Sequence, residues 1–390
     1  MAEEYFEWQL LPHDLKASFF HEADKESRFL AERIQQLSEH LEKAVPIIKP
    51  HLQRLKTHNR LHTVSAVDGS RSPKLSERLG ARYGVYSVGS VTVYGLERRD
   101  EILKGSVFKR RQALSRDVSK HLFDLLMTNA ERKLALEMLG KADLVVIDGS
   151  FLGFLTKSLR IKSEEISEEI ARTLDETVGI TRDLMDSGNV ISVVKRSPSK
   201  AIGGHLVLRD GLETPFKYIL DRFILSFIME PGSVFYYEDL LGEAHPISYY
   251  NAVAAHAQRL TSLEDVEMRA RRDIYAPIQR FRYEGGEELL RRLTRVQVRV
   301  SASAPTCEIE YPRNISRARL EEWLGQPHFF SHGTGLPVAL DLVDSLVGIP
   351  SRFTDEFVAE LEARTLDRLG GRDFEVLKLF FAYLNPQKPI

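Results

Sequence analysis

Cysteine is almost absent from this chain: Cys307 is the single one in 390 residues. One thiol excludes an internal disulfide framework and a cysteine zinc site. It fits a reducing compartment, so a cytoplasmic protein is expected. No apolar run is long enough to span a bilayer, and no membrane partner is expected. The opening residues, Met1-Ala2-Glu3-Glu4, are acidic and lack an apolar stretch, so no signal peptide is expected. Charge of one sign is not in excess either: 54 Lys and Arg against 56 Asp and Glu leave a net −2. A molecule-wide basic surface for nucleic acid is excluded, and any phosphate-binding surface must be local. There is no tandem repeat and no low-complexity tract.

What is present points to one place. Val64-Ser65-Ala66-Val67 is a β-prone run that stops at Asp68-Gly69-Ser70-Arg71. Leu144-Val145-Val146-Ile147 stops the same way, at Asp148-Gly149-Ser150. Asp-Gly alone is a common turn dipeptide. Two strand-length runs that both end in Asp-Gly-Ser read instead as a site. Each Asp is presented at a sheet edge, and the Gly beside it admits close approach of a ligand or of backbone. Two such carboxylates on neighbouring strands can share a divalent cation.

The remaining pattern sets the fold class. With 43% hydrophobic residues the chain can bury a large core. Residues up to about 60 read as a helical arm: Leu30, Ile34, Leu37, Leu41, Val45, Ile48, Leu52 and Leu55 step by threes and fours. Pro46 and Pro50 are expected to kink or break it. Residues 81–96 read as one or two antiparallel strands, 115–139 as a long helix, and 163–185 as a charged helix. Residues 190–195 read as a buried strand ending in Lys195-Arg196. The stretch 201–290 reads as a helical insertion, with helices at 216–229 and 248–273. Residues 296–301 and 307–311 alternate as a hairpin would, and 337–347 and 355–369 close the chain as helices. The expectation is an α/β fold whose mixed sheet has antiparallel strands first and parallel pairing after. Residues 1–60 form its arm and 61–390 its main domain.

The helix before Asp148 carries a carboxylate on its apolar face. Phe123, Met127, Glu131, Leu134 and Met138 share one side of that helix. Burying an unpaired carboxylate costs several kcal/mol, so Glu131 requires a partner, and a metal ion is a good one. Glu137, between Lys133 and Lys141, reads as solvated. In the helix after Pro337, Asp344 borders the apolar stripe of Leu340, Val343 and Val347, with Asp341 as the fallback. His332 lies just upstream in a Gly-rich loop and is a candidate ligand or proton carrier. The set Asp68, Glu131, Asp148 and Asp344 offers oxygen donors only, which suits Mg²⁺ or Mn²⁺ and does not suit zinc. Two such ions, roughly 3.5–4 Å apart, are able to cleave a phosphodiester.

These residues together resemble the NurA family of DNA-end-processing nucleases, from about Val64 to Val347. Ala66-Val67-Asp68-Gly69-Ser70-Arg71 is similar to the family's first acidic motif. Ala142-Asp143-Leu144-Val145-Val146-Ile147-Asp148-Gly149-Ser150 is similar to its second. Glu131 corresponds to the helix glutamate upstream, and Gly335-Leu336-Pro337 with Asp344 to the late segment, where Leu336 replaces the usual Tyr. Val193-Val194-Lys195-Arg196-Ser197 resembles a basic strand end. The resemblance implies a ribonuclease-H-like core and a Mn²⁺-dependent (or Mg²⁺-dependent) nuclease. Asp68, Glu131, Asp148 and Asp344 would be metal ligands, His332 the candidate catalytic histidine, and Arg71, Lys195 and Arg196 the DNA contacts. It also implies 5′–3′ exonuclease and single-strand endonuclease activity in double-strand-break repair. The partners it implies are a second copy, forming a homodimer, and a hexameric HerA-type translocase ATPase. Two alternatives stay open from the residues themselves. One is an actin-like ATPase, with Lys195 on a nucleotide phosphate. The other is a catalytically silent DNA-binding scaffold on the same fold.

Overall fold

The computed structural model describes residues 10–111, 116–159, 161, 166–283, 285–370 and 372–384. The chain divides into two compact units, Met1–Pro50 and His51–Ile390. The first is one helix, α1 (His13–Ile48). Pro46 sits inside its last turn without ending it, and the helix stops two residues before Pro50. The expected apolar stripe is split: Leu30 and Ile34 are exposed, whereas Leu41, Ala44 and Ile48 are buried. The helical reading to residue 60 does not hold, because Leu52–Arg54 is a strand.

In the second unit, ten strands among the described residues form one sheet. They are β1 (Leu52–Arg54), β2 (Thr63–Arg71), β3 (Ser76–Glu77), β4 (Arg82–Tyr94), β5 (Glu97–Arg110), β6 (Leu144–Asp148), β7 (Val190–Val193), β8 (Ser233–Tyr236), β9 (Leu293–Arg299) and β10 (Cys307–Pro312). The order is β1-β8-β9-β10-β7-β6-β2-β4-β3, with β5 also on β4. β2, β6 and β7 are parallel neighbours. β4 and β5 continue from β2 as an antiparallel meander. β10 runs antiparallel to β7 and extends the sheet on the other side. Strands β5-β4-β2-β6-β7, an antiparallel meander followed by two parallel strands, make the mixed sheet that was expected.

Between the strands lie α2 (Arg116–Met138), α3 (Gly153–Ser158), α4 (Glu168–Asp186), α5 (Ala201–Asp210) and α6 (Asp221–Ile228). They are followed by α7 (Tyr237–Leu241), α8 (Ile247–Ala257), α9 (Leu263–Phe281) and α10 (Gly286–Arg291). The chain closes with α11 (Arg317–Leu324), α12 (Val338–Val347), α13 (Phe353–Leu369) and α14 (Phe374–Phe381). The parallel strands are apolar at successive positions because both faces are covered. Val67, Val145 and Ile147 pack on one side with Leu134 and Met138 of α2 and Leu174 of α4. Ala66, Leu144 and Val146 pack on the other with Leu320 of α11 and Leu340 and Val343 of α12. Each such fully buried aliphatic side chain contributes about 1.5–3 kcal/mol, and these two layers fix the strand ends that carry Asp68 and Asp148. No helix among the described residues is long and apolar enough to cross a membrane.

Candidate active site

The register of β2 and β6 determines the site. Val67 pairs with Ile147, so Asp68 and Asp148 stand side by side where the parallel pairing ends; β6 stops at Asp148, but β2 does not stop at Asp68 as expected and runs on to Arg71 along β4. The chain after Asp148 must turn at once, and Gly149 supplies the turn with φ +74, a conformation most side chains resist. Its amide donates to the Val193 carbonyl at 2.8 Å, which ties the turn to β7. Gly69 serves a different purpose: a Cβ there would lie 3.3 Å from Glu131 Oε2 and 3.2 Å from Met127 Cγ. The missing side chain lets α2 bring Glu131 against β2 beside Asp68.

Lys195, two residues beyond β7, stands in the middle. Its ammonium donates to Asp68 Oδ2 at 3.0 Å and to Asp344 Oδ1 at 2.6 Å. Asp148 Oδ2 is 3.5 Å from the same nitrogen. Asp68 also accepts from its neighbour's amide, Gly69 N, at 2.7 Å. The charges are strongly linked. Burial first, then Asp148 and Glu131, push the Asp68 carboxyl up to about 8 despite Lys195. Burial raises Glu131 to about 7, with Arg132 opposing and Asp148 adding to the rise. Burial would also raise Asp344, but hydrogen bonds from Lys195 and Asp68 bring it below the ordinary carboxylate range. Burial disfavours the Lys195 ammonium, yet Asp68 and Asp148 outweigh that and hold it above the lysine range. The cluster thus carries more acid than its single amine neutralises, and part of the surplus is held as protons.

This donor set suits a hard divalent cation. Asp148 Oδ1 is buried and has no hydrogen-bond partner among the described residues. A buried, orphaned carboxylate oxygen is costly unless something cationic satisfies it. As the side chains stand, no three His, Cys, Asp or Glu groups among the described residues are arranged to hold a metal; the cation among the aspartates is the ammonium of Lys195. Asp68, Glu131 and Asp148 line the floor of a cleft of about 1370 Å³, with Asp344 at its rim. Its far wall is formed by Ile247, Asn251, Ile274 and Pro277 of α8 and α9.

The chain matches the NurA domain over residues 62–349. It belongs to the NurA family. Among solved structures, the NurA nuclease from Sulfolobus solfataricus superposes with a TM-score of 0.53 at 16% identity, covering 89% of this chain and 97% of that one. That likeness shows a shared fold. A NurA structure with manganese gives 0.47 at 13% identity, covering 88% of this chain and 99% of that one. No curated protein matches the chain in sequence.

Of the residues read from the sequence, Asp68, Glu131, Asp148 and Asp344 come together, and Lys195, expected on the DNA backbone, has its ammonium among the aspartates instead. Asp341 does not: it accepts from Thr334 Oγ1, away from the cluster. Arg71 lines the cleft, but its guanidinium is paired with Asp124. Arg196 is exposed on the cleft wall. His332 is exposed, is not among the cleft-lining residues, and uses its backbone carbonyl to accept from Ser301. Four further residues belong to the site. Lys157 on α3 is an exposed cation on the cleft wall. Arg132 is buried and joins Glu131 Oε1 (3.1 Å) to the Ser150 carbonyl (3.2 Å). Glu310 and Arg295 lie beneath the Asp148 turn. Arg132 had a signal, as it directly follows a face carboxylate; Lys157 had none.

Proposed function

We propose that this chain is a divalent-metal-dependent deoxyribonuclease, with Mn²⁺ or Mg²⁺ held by Asp68, Glu131, Asp148 and Asp344. The observation that carries the reading is the pair of carboxylates, Asp68 and Asp148, set side by side on adjacent parallel strands with Glu131 closing over them. When bound, such an ion supplies charge stabilisation at a phosphodiester and activation of a water. The protein's own part is orientation. Asp68 and Asp148 come from a rigid sheet, Glu131 from a packed helix, and the walls of the cleft limit water. Arg196 and Lys157 hold the DNA backbone on either side. We extend the reading, on family membership, to DNA ends as substrate, with 5′–3′ exonuclease and single-strand endonuclease activity in break repair. A second copy and a HerA-type hexameric ATPase are the proposed partners, and the cytoplasm the proposed location.

The test is an assay on single-stranded and blunt duplex DNA with Mn²⁺, with Mg²⁺ and with EDTA. Cleavage with either metal and none in EDTA is expected. Binding without cleavage under all three conditions would make the chain a silent scaffold.

The DNA contacts have their own test. Each phosphate contact contributes roughly 0.7–0.9 units to the log–log salt dependence of binding. The double substitution Arg196→Ala with Lys157→Ala is therefore expected to lower that slope by about 1.5, equally for unrelated sequences. An unchanged slope, measured by anisotropy between low and moderate salt in EDTA, would remove both residues from the interface.

A further inference from the structure

β10 carries two carboxylates that the proposed chemistry does not use. Glu308 and Glu310 are 1% and 3% exposed. Glu310 Oε1 accepts from Ser150 Oγ at 2.8 Å and from the Phe151 amide at 2.8 Å. Its other oxygen accepts from Arg295 Nε at 2.8 Å, and Arg295 Nη1 reaches Glu308 Oε1 at 2.6 Å. Glu310 thus holds the turn directly after Asp148 from below, through its hydroxyl and its next amide. Arg132 holds the same turn from the other side, at the Ser150 carbonyl. A turn held at three atoms by two buried, charged groups has little freedom. Asp148 has no hydrogen bond of its own on Oδ1 to fix its aim.

We infer that Glu310, itself braced by Arg295, is a positioning residue. It sets the Asp148-Gly149-Ser150 turn so that the Asp148 carboxylate is aimed at the cation before the cation arrives. This rests on the proposal that Asp148 is a metal ligand. Partners bonded directly to a metal ligand typically change its affinity about 10- to 100-fold when removed; Glu310 bonds to the turn after Asp148 and not to Asp148 itself, so the low end of that range is expected. Arg295 is needed in turn because a buried carboxylate without a charged partner is an uncompensated charge, and Arg295 Nε donates to Glu310 Oε2 at 2.8 Å.

The experiment is titration of the full-length protein with Mn²⁺ alone, without DNA, following free Mn²⁺ by electron paramagnetic resonance. Three variants are compared with the parent: Glu310→Gln, Ser150→Ala and the two combined. Asp148→Asn serves as control. Glu310→Gln is expected to weaken Mn²⁺ binding about 10-fold. Ser150→Ala removes one neutral hydrogen bond and is expected to weaken it roughly fivefold. The double variant is expected to bind no more weakly than Glu310→Gln, because both act through one contact. In EDTA, hydrogen exchange at the Phe151 amide is expected to quicken in Glu310→Gln. A parent that binds no Mn²⁺, or binds it equally well after Asp148→Asn, defeats the metal assignment. A parent that binds through Asp148, with both single variants equally tight, overturns the positioning role alone. If Glu310→Gln does not fold, Ser150→Ala decides: unchanged Mn²⁺ affinity overturns the role.

Discussion

Asp68→Ala is expected to abolish DNA cleavage, by at least about 10³-fold, the scale on which removing one preorganised charge-stabilising group acts, while the protein stays folded. Most buried charge removals destabilise. This one is different because Asp68 is crowded by its own kind. Burial and the carboxylates of Asp148 and Glu131 raise its carboxyl to about 8, against an ordinary value of 3.8. The sign of the linkage is then fixed. The folded protein keeps the Asp68 proton where the unfolded chain has released it. Stability from this group is full below about pH 4 and is lost as pH rises towards about 8. Thermal unfolding of the parent in EDTA is therefore expected to show Tm falling between pH 5 and pH 8. In Asp68→Ala the fall should be shallower, because the residue that loses stability there is gone. Three measurements bear on it: cleavage with Mn²⁺, Tm against pH, and circular dichroism. A variant that cleaves as fast as the parent would remove Asp68 from the chemistry. A variant whose Tm falls just as steeply would show that the proton taken up on folding lies on Glu131 instead.

How much of this was legible in the sequence follows from where each residue lies. Val64–Asp68 and Leu144–Asp148 were legible because a strand buried on both faces leaves a continuous apolar run, and a polar residue that breaks it is conspicuous. Glu131 was legible because it interrupts a helical stripe at a fixed step. β5 was not. Glu97–Arg110 is exposed along nearly its whole length, so its residues carry no alternation. Its existence is dictated by pairing with β4, a long-range fact that its own composition does not encode. Glu308 and Glu310 were misleading in the opposite direction. Cys307-Glu308-Ile309-Glu310-Tyr311 alternates as a half-exposed strand does, yet all five residues are buried. Their polar face is covered, and Arg295 and Gln297 on β9 satisfy it. Alternation states which residues share a face; it does not state whether that face is wet. The stretch 248–273 reads as containing helix, but the break between α8 and α9 is not legible, because Ala257 to Leu263 lacks a proline or glycine to mark it. Asp344 was chosen over Asp341 by its place on the stripe, and the structure puts Asp344 on Lys195.

Lys195→Met is expected to lower stability in EDTA and to make the protein depend on divalent metal for what it lost. The ammonium is 19% exposed and lies within 4 Å of Asp68, Asp148 and Asp344. Removing one member of a buried ion cluster costs about 3–5 kcal/mol when the rest stays charged. Two features reduce that here: Asp344 is largely exposed and screened by water, and Asp68 takes up a proton with ease. A loss of about 2–3 kcal/mol at pH 8 is expected, or roughly 3–4 °C in Tm for a domain of this size. At pH 5 Asp68 and Glu131 hold their protons, and the loss should be smaller. Methionine keeps the length and apolar stem of lysine, so packing is not the cause. The decisive comparison is with Mn²⁺. If the ammonium stands where a cation belongs, a dication restores the missing countercharge. Saturating Mn²⁺ should then raise the Tm of Lys195→Met at pH 8 by more than it raises the parent's. The parent gains less because its lysine must give up its place among the aspartates. Equal shifts in the two proteins would mean that metal and ammonium do not compete, and the cluster around Lys195 would then be a structural ion network rather than the centre of a nuclease.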